Sequence, residues 1–109
     1  MSEGRIDVGS NGELRLGGVL DYRSGPLLRE QGRGLILGAP DTALVVDCSA
    51  VEKSSSVGLS LLLAFMRDAK SVRRPVHISE LPSDMLEIAK VSGLLDVLPL
   101  DAATQERLK

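Results

Sequence analysis

The sequence predicts an α/β domain built on a mixed sheet, and three observations carry that prediction. Thr42–Cys48 (TALVVDC) is a short apolar, β-branched run with polar bounds, which reads as a buried strand. Asn11-Gly12 stands between Ile6–Val8 and Leu14–Leu16, a pair that favours a tight hairpin turn and so two antiparallel strands. Strand and helix patterns then alternate in the order β-β-α-β-α-β-α-β. Strands separated by helices pair in parallel through right-handed crossovers.

Each later element is set by local chemistry. Ser24, Gly25 and Pro26 start a helix that continues through Leu27, Leu28 and Gln31. Gly32, Gly34 and Gly38 weaken the rest of that segment, so a short helix and then a loop are expected. A helix opens at Ser56 and runs to about Ser71. Pro75–Leu81 (PVHISEL) alternates and reads as the next strand. Pro82-Ser83-Asp84 opens another helix with Met85, Ile88 and Ala89 on one side, and Gly93 ends it. Leu94–Leu100 predicts a short edge strand, and Asp101–Lys109 a final amphipathic helix or a frayed tail. Neither an internal repeat nor a linker interrupts residues 1–109, so one domain is expected.

Composition narrows the function classes. The chain is 43% hydrophobic and 26% charged, but has one Phe, one Tyr and no Trp, so the core must be aliphatic. A net charge of −2 leaves no electrostatic footprint for nucleic acid, and stacking aromatics for single strands are lacking. One cysteine excludes an internal disulfide and suggests a reducing compartment. The first residues do not read as a secretory signal. The longest wholly apolar run, Leu61–Met66, is far too short to span a bilayer. These readings predict a soluble, cytoplasmic protein without direct membrane insertion.

The most informative stretch is Ser54–Met66 (SSSVGLSLLLAFM). A serine at a helix entrance accepts hydrogen bonds from otherwise unpaired backbone N–H groups, but one cap is enough. The remaining hydroxyls sit where the partial positive charge of a helix N-terminus tolerates a phosphate or a partner's carboxylate. Within the helix, Leu59, Leu62, Leu63 and Met66 match the spacing of a core stripe, and Leu61, Ala64 and Phe65 widen it. Part of that surplus surface reads as partner-facing. Asp47 and Ser49 are expected just past the end of the central strand, where functional groups of α/β sheets collect. The candidate partner-binding and regulatory residues are Ser54, Ser55, Ser56, Val57, Gly58, Leu59 and Ser60, with Ser56 as the candidate phosphorylation site.

Other chemistry-bearing residues have blander readings. Cys48 is expected to be a buried, inert thiol without a histidine beside it in sequence. His77, on the strand face opposite Val76 and Ile78, and Arg73-Arg74 are expected to be solvated. Asp47 is expected to cap the loop after the strand. The glycines of Gly32–Gly38 lack the spacing of a nucleotide loop. Paired carboxylates, a catalytic triad and a metal cluster are all lacking, so neither catalysis nor a cofactor is expected.

VVDCSAVEKSSSVGLSLLLAFMRDAK resembles the signature segment of STAS domains, the sulfate-transporter and anti-sigma-antagonist module. Its pattern is an apolar strand ending in Asp-x-Ser, then Asp-Ser/Thr-x-Gly and a Leu-rich helix. Asp47, Ser49, Ser56 and Gly58 match it, and Ser56 falls on the residue phosphorylated in regulatory members. Leu16–Asp21 (LGGVLD) and Leu86–Leu100 extend the resemblance over roughly Glu13–Leu100. The family's acidic residue before the phosphorylated one is Ser55 here, and Val57 takes a usually small position. The resemblance implies a single STAS domain: a four- to five-stranded mixed sheet with helices mainly on one face. GLSLLLAFMRDAK and DVLPL are most similar to the cytoplasmic STAS subunits of Mla-type phospholipid ABC transporters. That implies an accessory role on the transporter's ATPase subunit, with Ser56 and its helix facing the ATPase, and an indirect link to the permease. The alternative it implies is an anti-sigma-factor antagonist switched by phosphorylation of Ser56.

Overall fold

The computed structural model describes all 109 residues. Strand β1 (Arg5–Val8) and strand β2 (Leu14–Leu20) pair antiparallel, with Val8 opposite Leu14. The turn between them is looser than Asn11-Gly12 suggests. Residues 9–13 form the loop, and the Gly9 carbonyl accepts from the Gly12 N–H at 3.0 Å. Gly12 alone takes a positive φ, 79°, so the two-residue turn that needs Asn11 there as well does not form.

Helix α1 spans Gly25–Leu37, 13 residues with Pro26 in its first turn. This corrects the expected short helix and loop. Packing overrides the weak propensity: a Cβ on Gly32 would stand 2.3 Å from Phe65 Cε1, so the missing side chain lets the helix approach. Strand β3 (Leu44–Ser54) is the second correction, because it runs six residues beyond Cys48. It pairs in parallel with all of β2, with register shifts between Arg15 and Gly17 and between Gly18 and Val19. Asp47 and Ser49 therefore lie within the strand. The Asp47 carboxylate accepts from the Ser49 N–H at 2.9 Å there and caps no loop.

Helix α2 (Ser56–Ser71) has the predicted limits. Strand β4 (Val76–Ser79) pairs in parallel with β3, which completes the sheet order β1-β2-β3-β4. Helix α3 (Ser83–Val91) ends at Gly93, whose φ of 71° lets the Leu94 N–H reach the Ala89 carbonyl at 2.8 Å. The expected fifth strand reduces to one bridge between Ile78 and Leu100. Beside it, the Ile78 N–H donates to the Pro99 carbonyl and the Asp101 N–H to the Ile78 carbonyl, both at 2.9 Å. Helix α4 (Ala102–Arg107) begins at Asp101, which caps the Thr104 N–H at 2.9 Å.

The core is aliphatic, as the composition requires. Leu14, Leu16, Leu20, Leu44, Val46, Cys48 and Ile78 line one sheet face under Leu62, Phe65 and Met85. Arg15, Val45, Ser49 and His77 are exposed on the other face. Helix α2 packs between α1 and α3, and Asp68 is ion-paired to Arg29 across the α1–α2 contact. Arg73 and Arg74 behave differently, which corrects their reading as a solvated pair. Arg73 is exposed and bonded to Asp41. Arg74 is 7% exposed and donates to the carbonyls of Ile36, Thr42 and Ala43 at 2.9–3.3 Å. Burial pushes its pKa down from the usual arginine value.

Candidate functional site

The end of β3 and the start of α2 place the serines in three different environments. Ser54 is the last residue of β3 and is 7% exposed. Its N–H donates to Asp84 Oδ2 at 2.9 Å and its hydroxyl to the Ser55 carbonyl at 2.7 Å. Ser55 is extended, with φ −86° and ψ −173°, and its Oγ accepts from the Val57 N–H at 3.2 Å. It is the helix cap, and its own N–H is fixed to the Leu20 carbonyl at 3.0 Å. Ser56 is the first residue of α2. It is exposed and its hydroxyl makes no hydrogen bond within the chain, although its carbonyl accepts from Ser60 Oγ at 3.3 Å.

The remaining candidates divide in the same way. Val57 is half-buried, and its Cγ1 would stand 2.9 Å from a Cβ on Gly25 at the start of α1. Gly58 is fully enclosed: a Cβ there would meet Ser54 Oγ at 2.0 Å and Met85 Cε at 2.9 Å. Leu59 is 3% exposed and belongs to the core. Ser60 is exposed, one turn beyond Ser56. Of the seven predicted residues, Ser55, Ser56 and Ser60 present surface, Val57 presents part of its own, and Ser54, Gly58 and Leu59 support them from below.

The split of the α2 stripe also differs from simple spacing. Leu61, Leu62, Ala64 and Phe65 are buried, whereas Leu63 and Met66 are half-exposed. Asp84 is the participant that sequence reasoning missed. Its two carboxylate oxygens accept from the Ser54 and Met85 N–H groups, joining the serine entrance to the first turn of α3. Its position just after Pro82-Ser83 marked only a helix start, and the partner 30 residues away left no trace in the sequence.

The chain's one thiol and one imidazole both lie away from the serine entrance. Cys48 is buried, and burial, with a smaller contribution from the Asp47 carboxylate, pushes its thiol up to about 12. A thiol held that high stays protonated and unreactive near neutrality. His77 lies exposed on the far sheet face, away from the Ser56 entrance. No group of three or more His, Cys, Asp or Glu side chains converges as a metal site.

A single α/β domain with this sheet, and with a serine-opened helix at the end of its long strand, is an STAS domain. Residues 6–99 match the family model described as the MlaB STAS domain, so the chain belongs to that family. Solved structures share the fold. The MlaB chain of the Acinetobacter MlaFEDB complex, in its ATP-bound Vtrans2 conformation, superposes with a TM-score of 0.76 at 23% identity. That match covers 88% of this chain and 100% of the other. An anti-sigma factor antagonist from Mycobacterium paratuberculosis gives a TM-score of 0.73 at 21% identity, covering 97% and 90%. The Bacillus cell fate determinant SpoIIAA in its phosphorylated form gives 0.62 at 18%, covering 98% and 100%. The fold thus matches both a transporter subunit and anti-sigma-factor antagonists. No helix is long and apolar enough to cross a membrane.

Proposed function

We propose that this chain is a non-catalytic accessory subunit that binds, and regulates or stabilises, the MlaF-like ATPase of a phospholipid-transporting ABC complex. In this reading it works in the cytoplasm and lies against the inner membrane only through its complex, where lipid transport maintains outer-membrane asymmetry. The observation that carries the reading is the exposed, unbonded Ser56 hydroxyl at the mouth of α2, in a chain of the MlaB STAS family. A small neutral hydroxyl on a preformed helix end suits close docking, because little has to be desolvated or reordered. Ser55 supports the same reading. Its neutral hydroxyl caps the helix and puts no charge beside Ser56.

The test is co-purification of the tagged chain from its native cell, then titration with the purified ATPase subunit. Ser56→Glu is expected to weaken ATPase binding at least about tenfold, since it places a charge within a closely packed contact. Unchanged affinity would remove Ser56 from the interface. One observation favours a second reading, an anti-sigma-factor antagonist switched by a serine kinase. The free Ser56 Oγ sits on an N-terminal turn whose partial positive charge would tolerate a phosphate. Recovery of a serine kinase, with a phosphate mass shift mapped to Ser56, would move the protein to that pathway.

A further inference from the structure

Helix α4 lies outside residues 6–99, the span the family model matches, yet it is linked to the serine entrance by hydrogen bonds. Asp101 caps it, and Thr104, 1% exposed, seats it on the domain. Its last residue, Arg107, clamps the connection between β4 and α3. Nη1 donates to the Leu81 carbonyl at 2.7 Å and Nη2 to Ser83 Oγ at 3.3 Å, one bond on each side of Pro82. No carboxylate pairs with this guanidinium. The connection needs such a hold. Glu80 at its start has φ 57°, a left-handed conformation that a non-glycine residue keeps only where its surroundings impose it.

Asp84 follows directly after the clamped turn. Its Oδ2 accepts from the Ser54 N–H at 2.9 Å and its Oδ1 from the Met85 N–H at 2.8 Å. Pro82 gives α3 no side-chain cap, so one carboxylate serves the helix's first turn and ties that turn to the end of β3. Met85 closes the same corner, since its Cε would stand 2.9 Å from a Cβ on Gly58. Next in the chain after Ser54 is Ser55, the cap of α2.

We infer that Asp84 and Arg107 are positioning residues for the serine entrance: Asp84 fixes the Ser54 backbone against α3, Arg107 fixes the turn that carries Asp84, and Ser56 is thereby presented in one preset orientation. Both act through Ser54 and the Ser55 cap rather than by contact with a partner. The inference deepens the docking reading above and rests on it for its effect on binding. A contact held ready before the partner arrives avoids the ordering cost of association. Arginine suits the task, because its planar fork spans two acceptors at fixed geometry whereas a lysine ammonium is a single point.

The test reads NMR-resolved amide exchange and ATPase affinity on the full chain, with melting temperature as the folding check. Arg107→Met is expected to speed exchange at Ser54 and Met85 about threefold, to leave the α1 amides at the parent rate, and to weaken ATPase binding about threefold. Asp84→Asn keeps the acceptor's shape without its charge and is expected to speed the same two amides about tenfold. Arg107→Lys is expected to fall between Arg107→Met and the parent. A merely structural role would speed the α1 amides by the same factor as Ser54 and Met85, and that result overturns the inference. Unchanged exchange at Ser54 and Met85 overturns it as well. Ser56→Glu is the separate probe of docking. If Ser56→Glu weakens binding while the Arg107 and Asp84 variants bind like the parent, the positioning role is overturned and the docking reading stands. If Ser56→Glu itself binds like the parent, the docking reading falls, and local loosening at Ser54 and Met85 still supports the hold on the entrance.

Discussion

Leu59 and Ser56 are three residues apart in α2, yet they have opposite roles. Leu59 lies inside the core at 3% exposure, while Ser56 has an exposed, unbonded hydroxyl. Leu59→Ala is therefore expected to destabilise by about 2–5 kcal/mol, measured by denaturant unfolding, because the cavity it leaves cannot fully collapse. A change near zero would put Leu59 on the outer surface. A helix entrance within Ser54–Ser60 was legible, since serines before an apolar run signal one. Their division into cap, support and exposed hydroxyl was not legible. It depends on Asp84 and Met85, which reach this corner through α3 and have no sequence proximity to it.

At the level of elements, helix limits were legible where caps and turn residues punctuate the chain. Ser55, Gly93 and Asp101 each do what their residue types suggest. Elements decided by contacts across the fold were not legible. Helix α1 passes through Gly32 because Phe65 fills the space a side chain would need. Intrinsic propensity predicts that Gly32→Ala would stabilise by about 1 kcal/mol. Packing predicts the reverse, a loss of about 1–3 kcal/mol from overfilling, and denaturant midpoints will show the sign. Arg74 is a second such case, since it joins the end of α1 to the start of β3 through three carbonyls. Arg74→Met leaves those acceptors without their charged donor and is expected to cost about 2–4 kcal/mol of unfolding free energy. A loss below about 0.5 kcal/mol would mean that water replaces the guanidinium without penalty.

At the scale of the whole molecule, the parallel crossovers and the one-sided helical layer were legible from element order and family resemblance. The length of β3 was not, because its second half has no simple alternation and is held by register shifts opposite Gly17 and Gly18. Beside that half, Glu52 accepts from the N–H and hydroxyl of Ser2, and these bonds hold its carboxyl below the usual glutamate value of 4.5. A carboxyl with a lowered folded-state pKa contributes stability above its ordinary value, and the contribution disappears as pH falls through the folded value. Glu52→Gln is therefore expected to flatten the acid limb of the stability curve below about pH 4.5 and to leave the slope near pH 7 unchanged. Equal acid limbs in parent and variant would dissociate the Ser2 contact from folding. The bridge at Ile78 and Leu100 matters for the molecule among its own copies. Two backbone bonds around Ile78 occupy the outer edge of β4 where another chain would otherwise pair. At the opposite border β1 is only four residues long and alternates Arg5 and Asp7 with apolar side chains. Both sheet margins thus offer little open backbone on which a strand of another copy could template itself.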